Sequence, residues 1–325
     1  MGRKAGVVAS LLGTGVIVLA TAFLWFQAAL DRHGPLEAPA TLIIPEGTSA
    51  AEIAEDLHAG NIIASTTLFR LHTLVRGDAH LLKAGEYAFG SGETLGSVIA
   101  RLVSGDTVVH ALTLPEGLSS AAALAIIEAH PALEGTVAAM PREGSLLPET
   151  YHFERGTTRQ ELVGRMMLAM EAAVAELWAG RAGDLPLASP AEAVILASIV
   201  EKETGRADER RHVAGVLVNR LRRGMRLQSD PTVIYALTKG LEPLGRNLLR
   251  SDWQLDDPYN TYRHKGLPPG PIANPGRETI AAVLDPLDTP DLYFVADGSG
   301  GHAFAATLEE HNRNVVRWRR HRSGN

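Results

Sequence analysis

The strongest constraint in this chain lies at its start. After Met1-Gly2-Arg3-Lys4 comes "AGVVASLLGTGVIVLATAFLWFQAAL", an apolar run from Ala5 to Leu30 broken only by Ser10, Thr14, Thr21 and Gln27. About 20 such residues are enough for a helix to cross a bilayer. Arg3 and Lys4 hold the short N-terminus on the cytoplasmic side by the positive-inside bias, and Trp25 falls at the far interface. The alternative is a cleaved signal peptide, since Ala20-Thr21-Ala22 has the small residues of a cleavage site. The uncharged run continues past that point, so a retained anchor is expected, with the rest of the chain outside the cytoplasm.

Beyond the anchor the chain has the composition of a globular protein: 45% hydrophobic residues in a total of 325, ample for a sizeable core in one to three domains. The net charge of −6 gives no reason to expect nucleic acid as a partner. The basic C-terminal "RNVVRWRRHR" reads as a solvated helix face. With no cysteine in the chain, disulfides, thiolate nucleophiles and Cys-ligated metals are excluded. The 12 histidines show no metal-ligand spacing, and neither metal nor cofactor is expected. Gly-x-Ser-x-Gly, Walker A and His-Glu-x-x-His motifs are all missing. Ser198 and Lys202 are four apart, which does not match Ser-x-x-Lys.

Past a Pro/Gly-bearing linker, "ATLIIPEGTSAAEIAEDLHAGNII" predicts a strand, a Pro-Glu-Gly turn and a helix capped by Thr48 or Ser49. A similar unit returns in "HALTLPEGLSSAAALAIIEAH", where Pro115-Glu116-Gly117 echoes Pro45-Glu46-Gly47. Between them "KAGEYAFGSGETLGSVIARLVSG" gives another strand, turn and helix. Small modules ordered strand, helix, helix, strand are expected, and two copies are too few for a solenoid.

The remainder is mixed. "RQELVGRMMLAMEAAVAELWAG" is helical, and "SPAEAVILASIVEKETG" is a helix with a capping Ser189, Pro190 in its first turn, Glu192 completing a capping box, and Gly205 just past the end. "DERRHVAGVLVNRLRRG" is a second amphipathic helix stopped by Gly224, and "LQSDPTVIYAL" begins another. "DDPYNTYRHKGLPPGPIANPG" is a long irregular segment, of the kind that is usually functional in a compact domain. The chain closes on a hairpin over Asp297–Gly301 and a helix opened by a Thr307…Glu310 box. The pattern is that of an α+β protein.

Two glutamates end the apolar helix. Three, four, seven and eight residues before Glu203 stand Val200, Ile199, Leu196 and Ile195; the same offsets before Glu201 give Ser198, Ala197, Val194 and Ala193. Glu203 therefore extends the large apolar face at the negative end of the helix dipole. Both effects raise the pKa of a carboxyl group, and an acid held partly protonated near neutrality suits general acid/base work. The competing reading makes Glu203 an ion-pair partner of Arg206, Arg210 or Arg211, and the residues alone leave both open.

"EGSLLPETY", "ASIVEKET", "VLVNRLRRGMRLQSDPTVIYAL", "YNTYRHKGLPPGPIANPG" and "LYFVADGSGGHAF…HN", in this order from about Arg142 to Val316, resemble the endolytic murein transglycosylases of the MltG, or YceG-like, family. The anchor and a LysM-like region fit the same family. The resemblance implies a single-pass inner-membrane protein with a cytoplasmic tip and anchor over 1–33, a LysM-like module over 38–106 and a periplasmic catalytic domain over 107–325. It implies cleavage of MurNAc–GlcNAc β-1,4 bonds in nascent peptidoglycan strands to leave 1,6-anhydro-MurNAc ends, with peptidoglycan synthases as further candidate partners. By motif the catalytic residue falls on Glu203. Asn219, Gln228, Asp230, Tyr259, Asn260 and Tyr262 lie in matching motifs as candidate substrate ligands. Each also has a structural reading: Asp230 as a helix N-cap, Asn219 on a solvated face, the tyrosines as loop packing. The rival functions are a membrane-anchored, non-catalytic glycan-binding or scaffold protein, and a hydrolase using water with Asp230 or Glu149 as the second carboxylate.

Overall fold

The computed structural model describes residues 2–323, with side chains described over 11–321. The orienting charges of Arg3 and Lys4 lie outside the described side chains. Helix α1 spans Gly2–Leu30, as a run without proline dictates. Its Leu11–Leu30 segment is long and apolar enough to cross a membrane by length and composition. Its last turn packs: Ala29 and Leu30 are buried and Phe26 lies against the neighbouring core.

The chain divides into two compact units. The first holds residues 1–110 and 153–156, the second 111–152 and 157–325. After α1, the first unit runs β1 (Ala40–Ile44), α2 (Ala50–Ala59), α3 (Thr66–Arg76), β2 (Gly85–Phe89) and α4 (Leu95–Ser104). β1 and β2 pair antiparallel, from Ala40 opposite Phe89 to Ile44 opposite Gly85. This is the strand, helix, helix, strand order expected from the sequence. Ser49 and Glu52 close a capping box on α2, and Leu57, Phe69, Tyr87, Val98 and Leu102 are fully enclosed between the helices and the ribbon. Glu86 is nearly buried, yet it is held by His110 and Arg155, each at 2.7 Å.

The repeat is only partial. β3 (Val109–Thr113) is followed by a turn and α5 (Ser120–Ala129), and then a long loop leads to β4 (Thr150–Glu154), the partner of β3. The two Pro-Glu-Gly turns are alike, with Gly47 at φ 80° and Gly117 at φ 75°, values that suit glycine. The second copy has one helix where the first has two.

The rest of the second unit is helical: α6 (Arg159–Ala179), α7 (Pro190–Glu203), α8 (Arg210–Arg222), α9 (Asp230–Thr238) and α10 (Arg277–Leu284). α7 lies in contact with α6, α8, α9 and α10. Ala193, Leu196, Ala197, Ile199 and Val200 are all fully enclosed, so α7 is apolar because it is surrounded. The segment 256–276 has no regular helix or strand. β5 (Tyr293–Ala296) and β6 (His302–Ala305) form the expected antiparallel hairpin. α11 (Leu308–Ser323) comes last, opened by reciprocal bonds between Thr307 and Glu310. Its Arg313, Arg317 and Arg320 face solvent.

Candidate active site

The end of α7 brings its two glutamates to different company. Glu201 is nearly enclosed, with a side chain 5% exposed, which its small-residue neighbours did not foretell. It accepts the Gly276 N–H at 2.9 Å at the start of α10, with Arg210 at 3.8 Å. Glu203 has neither kind of support. The three arginines considered as its partners are engaged elsewhere: Arg206 with Asp208 and Glu209, Arg210 with Glu116 and Glu201, Arg211 with Asp285. Among the described residues Glu203 forms no ion pair.

Glu203 keeps some contact with solvent as a residue, while the protein packed around its carboxyl pushes its pKa up to about 7. Burial is the main cause. The Ser229 hydroxyl approaches the carboxyl and works against the shift, the Asp230 charge adds to it, and His302 and Arg220 pull weakly the other way. The Ser229 hydroxyl is buried and has no hydrogen-bond partner among the described residues.

These groups arrive from three elements. Arg220 on α8 is 8% exposed and has no carboxylate in ion-pair range among the described residues. Its guanidinium is held by backbone carbonyls, with Nε donating to Leu292 at 2.7 Å and an NH group donating to Leu227 at 2.6 Å. His302 on β6 is fixed by Glu209, which receives both its backbone N–H (2.9 Å) and its ring Nδ1 (2.7 Å). Ser229 and Asp230 open α9. Ser229 occupies the N-cap position and no side chain caps the helix, so the N-cap reading of Asp230 does not hold. Asp230 Oδ1 instead accepts from Tyr262 O–H at 2.7 Å and Trp253 Nε1–H at 2.9 Å. Just before them, Gln228 is left-handed at φ 52°, a strained setting for a non-glycine residue that concentrates at functional sites.

The other candidate ligands separate. Tyr262 is drawn to the cluster, and its phenol is pushed upward by burial, by its bond to Asp230 and by the Glu203 charge. Asn260 is fully buried and organises the loop, donating to the carbonyls of Trp253 and Leu255 and accepting from Tyr262 N–H. Tyr259 packs against Tyr235, ring centroids 4.8 Å apart. Asn219 gives its amide hydrogens to the carbonyls of Thr289 (2.7 Å) and Asp291 (3.1 Å); it lines a hollow with Asp184 and Arg222 that does not include Glu203.

Two other carboxyl groups can be set apart. Glu149 is exposed and its backbone carbonyl accepts from Leu114. Glu143 is pushed upward by burial but accepts from Ser120 N–H at 2.8 Å, at the first turn of α5. An apolar groove of about 480 Å³ behind it, lined by Met167, Met170, Val174 and Val194, does not include Glu203. Ser198 is buried, accepting Ile272 N–H and donating to Ile195. Among the described residues no three His, Asp or Glu side chains converge as a metal-ligand set.

Ser229, Arg220, His302, Glu209 and Trp253 were not singled out by sequence reasoning. The one usable signal was Arg220, a cation inside the apolar stretch of α8.

The chain is similar to proteins whose names bear on this arrangement. It is 30% identical to an endolytic murein transglycosylase of Bacillus subtilis, over 91% of this chain and 90% of that protein. It is 28% identical to one from Streptococcus pneumoniae, over 92% of this chain and 63% of the longer relative. A crystal structure of a YceG-like protein from Listeria monocytogenes superposes with a TM-score of 0.54 at 29% identity, covering 85% of this chain and 98% of the other. The sequence model of the YceG-like family matches residues 42–317. That match reaches into both compact units and takes in every group around Glu203, and the chain belongs to the YceG-like family.

Proposed function

We propose that this protein is an endolytic lytic transglycosylase of peptidoglycan, cutting MurNAc–GlcNAc β-1,4 bonds and leaving 1,6-anhydro-MurNAc ends. The relatives named endolytic murein transglycosylases support the reaction class. The observation that carries the assignment to Glu203 is an enclosed carboxyl with no ion-pair partner among the described residues, its pKa pushed up to about 7.

One such carboxyl suffices for the chemistry. Protonated Glu203 gives its proton to the glycosidic oxygen as the C1–O bond breaks with oxocarbenium character. The carboxylate left behind takes the proton of the MurNAc C6 hydroxyl as O6 bonds to C1. The proton lost in the first half returns in the second, and no water is consumed. Because the nucleophile is part of the sugar, no second carboxylate has to activate water, unlike in ordinary glycosidases. The transient anion is met by the Ser229 hydroxyl and by the charges of Arg220 and His302. Gln228, Asp230 and Tyr262 are proposed as glycan ligands, Asp230 and Tyr262 because they stand beside Glu203 and Gln228 because its strained backbone directly precedes Ser229 and Asp230.

In this reading α1 stays in the inner membrane with its N-terminus inside. The first unit is a LysM-like module that holds or positions glycan outside the cytoplasm, within reach of peptidoglycan synthases. A periplasm-dependent reporter fused after residue 35 is expected to be active, with the protein in the membrane fraction.

Product mass tests the reaction. Digestion of purified glycan strands should yield ends lighter by one water than hydrolytic ends. Reducing ends would establish a hydrolase, and intact strands a binding or scaffold protein.

A further inference from the structure

Trp253 takes part in none of the catalytic steps, yet its indole is built into the site. It sits in a short 3-10 turn, Asp252–Gln254. That turn is pinned from both sides: Arg246 pairs with the nearly buried Asp252 at 2.6 Å, and Asn260 donates to the Trp253 carbonyl at 3.1 Å. The indole N–H and the Tyr262 hydroxyl both donate to one oxygen of Asp230, Oδ1, and the two rings lie 6.0 Å apart. Asp230 Oδ2 has no hydrogen bond among the described residues, and Asp230 is exposed.

Two donors on one oxygen fix the rotamer of a carboxylate and leave its other oxygen free to accept. Holding an exposed acidic side chain this way costs conformational entropy, a cost that makes sense where the free oxygen must meet a ligand. A pyranose offers what such a place can hold: polar O–H and N–H groups around its rim and an apolar C–H face. Tyr and Trp combine an apolar body with a polar tip, and here both tips are spent on Asp230. We propose that Asp230, Trp253 and Tyr262 form a saccharide subsite beside Glu203, with Asp230 Oδ2 accepting from the sugar rim and the Trp253 indole supporting its apolar face. This rests on the transglycosylase reading and adds Trp253 as a determinant of glycan binding.

Binding is best measured on the full-length protein in detergent in a Glu203→Gln background. The oligomer then stays intact, and any influence of Asp230 on the protonation of Glu203 is removed. The probe is a peptide-free GlcNAc–MurNAc oligomer. Trp253→Ala is expected to weaken binding about tenfold, the scale of one hydrogen bond plus one aromatic contact. Trp253→Phe, which keeps a ring and loses only the donor, is expected to lose about threefold. In oxidative footprinting read by mass spectrometry, the oligomer should protect Trp253 and leave Trp178 unchanged. Unchanged affinity in a folded Trp253→Ala protein overturns the subsite. If that variant does not fold, Trp253→Phe and the footprint decide, and an unprotected Trp253 overturns it. A native enzyme that makes anhydro ends while Trp253 stays unprotected sinks the subsite alone; one that makes no anhydro ends sinks the transglycosylase reaction itself.

Discussion

A carboxyl group enclosed by protein and given no ion pair keeps its proton to higher pH, and this is the condition that separates Glu203 from Glu201. Glu203→Gln preserves shape but exchanges no proton, and is expected to lose at least roughly 10²–10⁴ in rate. Glu201→Gln keeps an oxygen to accept the Gly276 N–H and should retain substantial activity. Since the acid must start protonated, kcat/KM should fall as pH rises through about 7, the pKa of Glu203. Stability obeys the same sign. The folded pKa lies above the unfolded one, so the folded protein binds the extra proton, and stability present at acid pH is lost as pH rises toward and through about 7. Glu203→Gln removes that loss: its melting temperature should exceed the parent's at pH 8 and approach it near pH 4. Anhydro-muropeptide yield and paired melts read both effects, and an active Glu203→Gln beside a dead Glu201→Gln would reverse the assignment. The sequence pointed to Glu203 through its large apolar neighbours, but the contrast it drew with Glu201 was incomplete. α7 is buried on nearly every side, and the glutamates differ because Arg210 and the start of α10 serve one of them. Partners 9 and 75 residues away along the chain leave no local trace in a helix projection.

At the level of elements, the local signals that proved legible were those written within a few residues. Ser189 caps α7 as expected. The Glu192 carboxylate reaches back one residue further than a capping box requires, to the Ala188 N–H at 2.7 Å. Gly205 stands just past the end of α7, as expected, and Thr204 before it closes the helix in an extended conformation at φ −138°, which carries the chain on toward Glu209. The β5–β6 hairpin was legible from "ADGSGG", but its anchoring to Glu209 was not, because the contact spans 93 residues. Burial disfavours the Glu209 anion, yet the bonds from His302 outweigh it and hold its pKa below the usual carboxylate value. Its stabilising contribution is therefore full above the unfolded pKa and is lost as pH falls through the folded one. Glu209→Ala should cost about 1–3 kcal/mol by leaving the hairpin's donors unpaired, and should lower activity by releasing His302 from the neighbourhood of Glu203. Denaturant melts and anhydro-end yield check the two parts. A variant as stable and as active as the parent would show that the hairpin holds its place without this contact.

At the scale of the whole chain, the groups proposed for the chemistry and the helix apolar enough to cross a membrane fall in different units. α7, α8, α9, the 256–276 segment and the β5–β6 hairpin, which surround Glu203, all belong to the second unit, whereas α1 and the β1–β2 ribbon belong to the first. The strand–helix–helix–strand order of the first unit could be read from the sequence because each element carries its own cap and turn. The return of residues 153–156 to that unit could not, since it depends on Arg155 meeting Glu86 at 2.7 Å across 69 residues. A chain beginning at Ala111 therefore keeps every group assigned to the reaction but removes Glu86, the partner of Arg155. Deleting residues 1–110 takes away the unit in which 153–156 pack and the first residues of β3, so the truncated protein should melt earlier. If melts show a cooperative fold, the truncated protein should still produce anhydro ends, with KM raised by loss of the module proposed to hold glycan and kcat little changed. A cooperatively folded truncation that makes no anhydro ends would mean that the first unit contributes to the chemistry itself, and the division of labour proposed for the two units would fail.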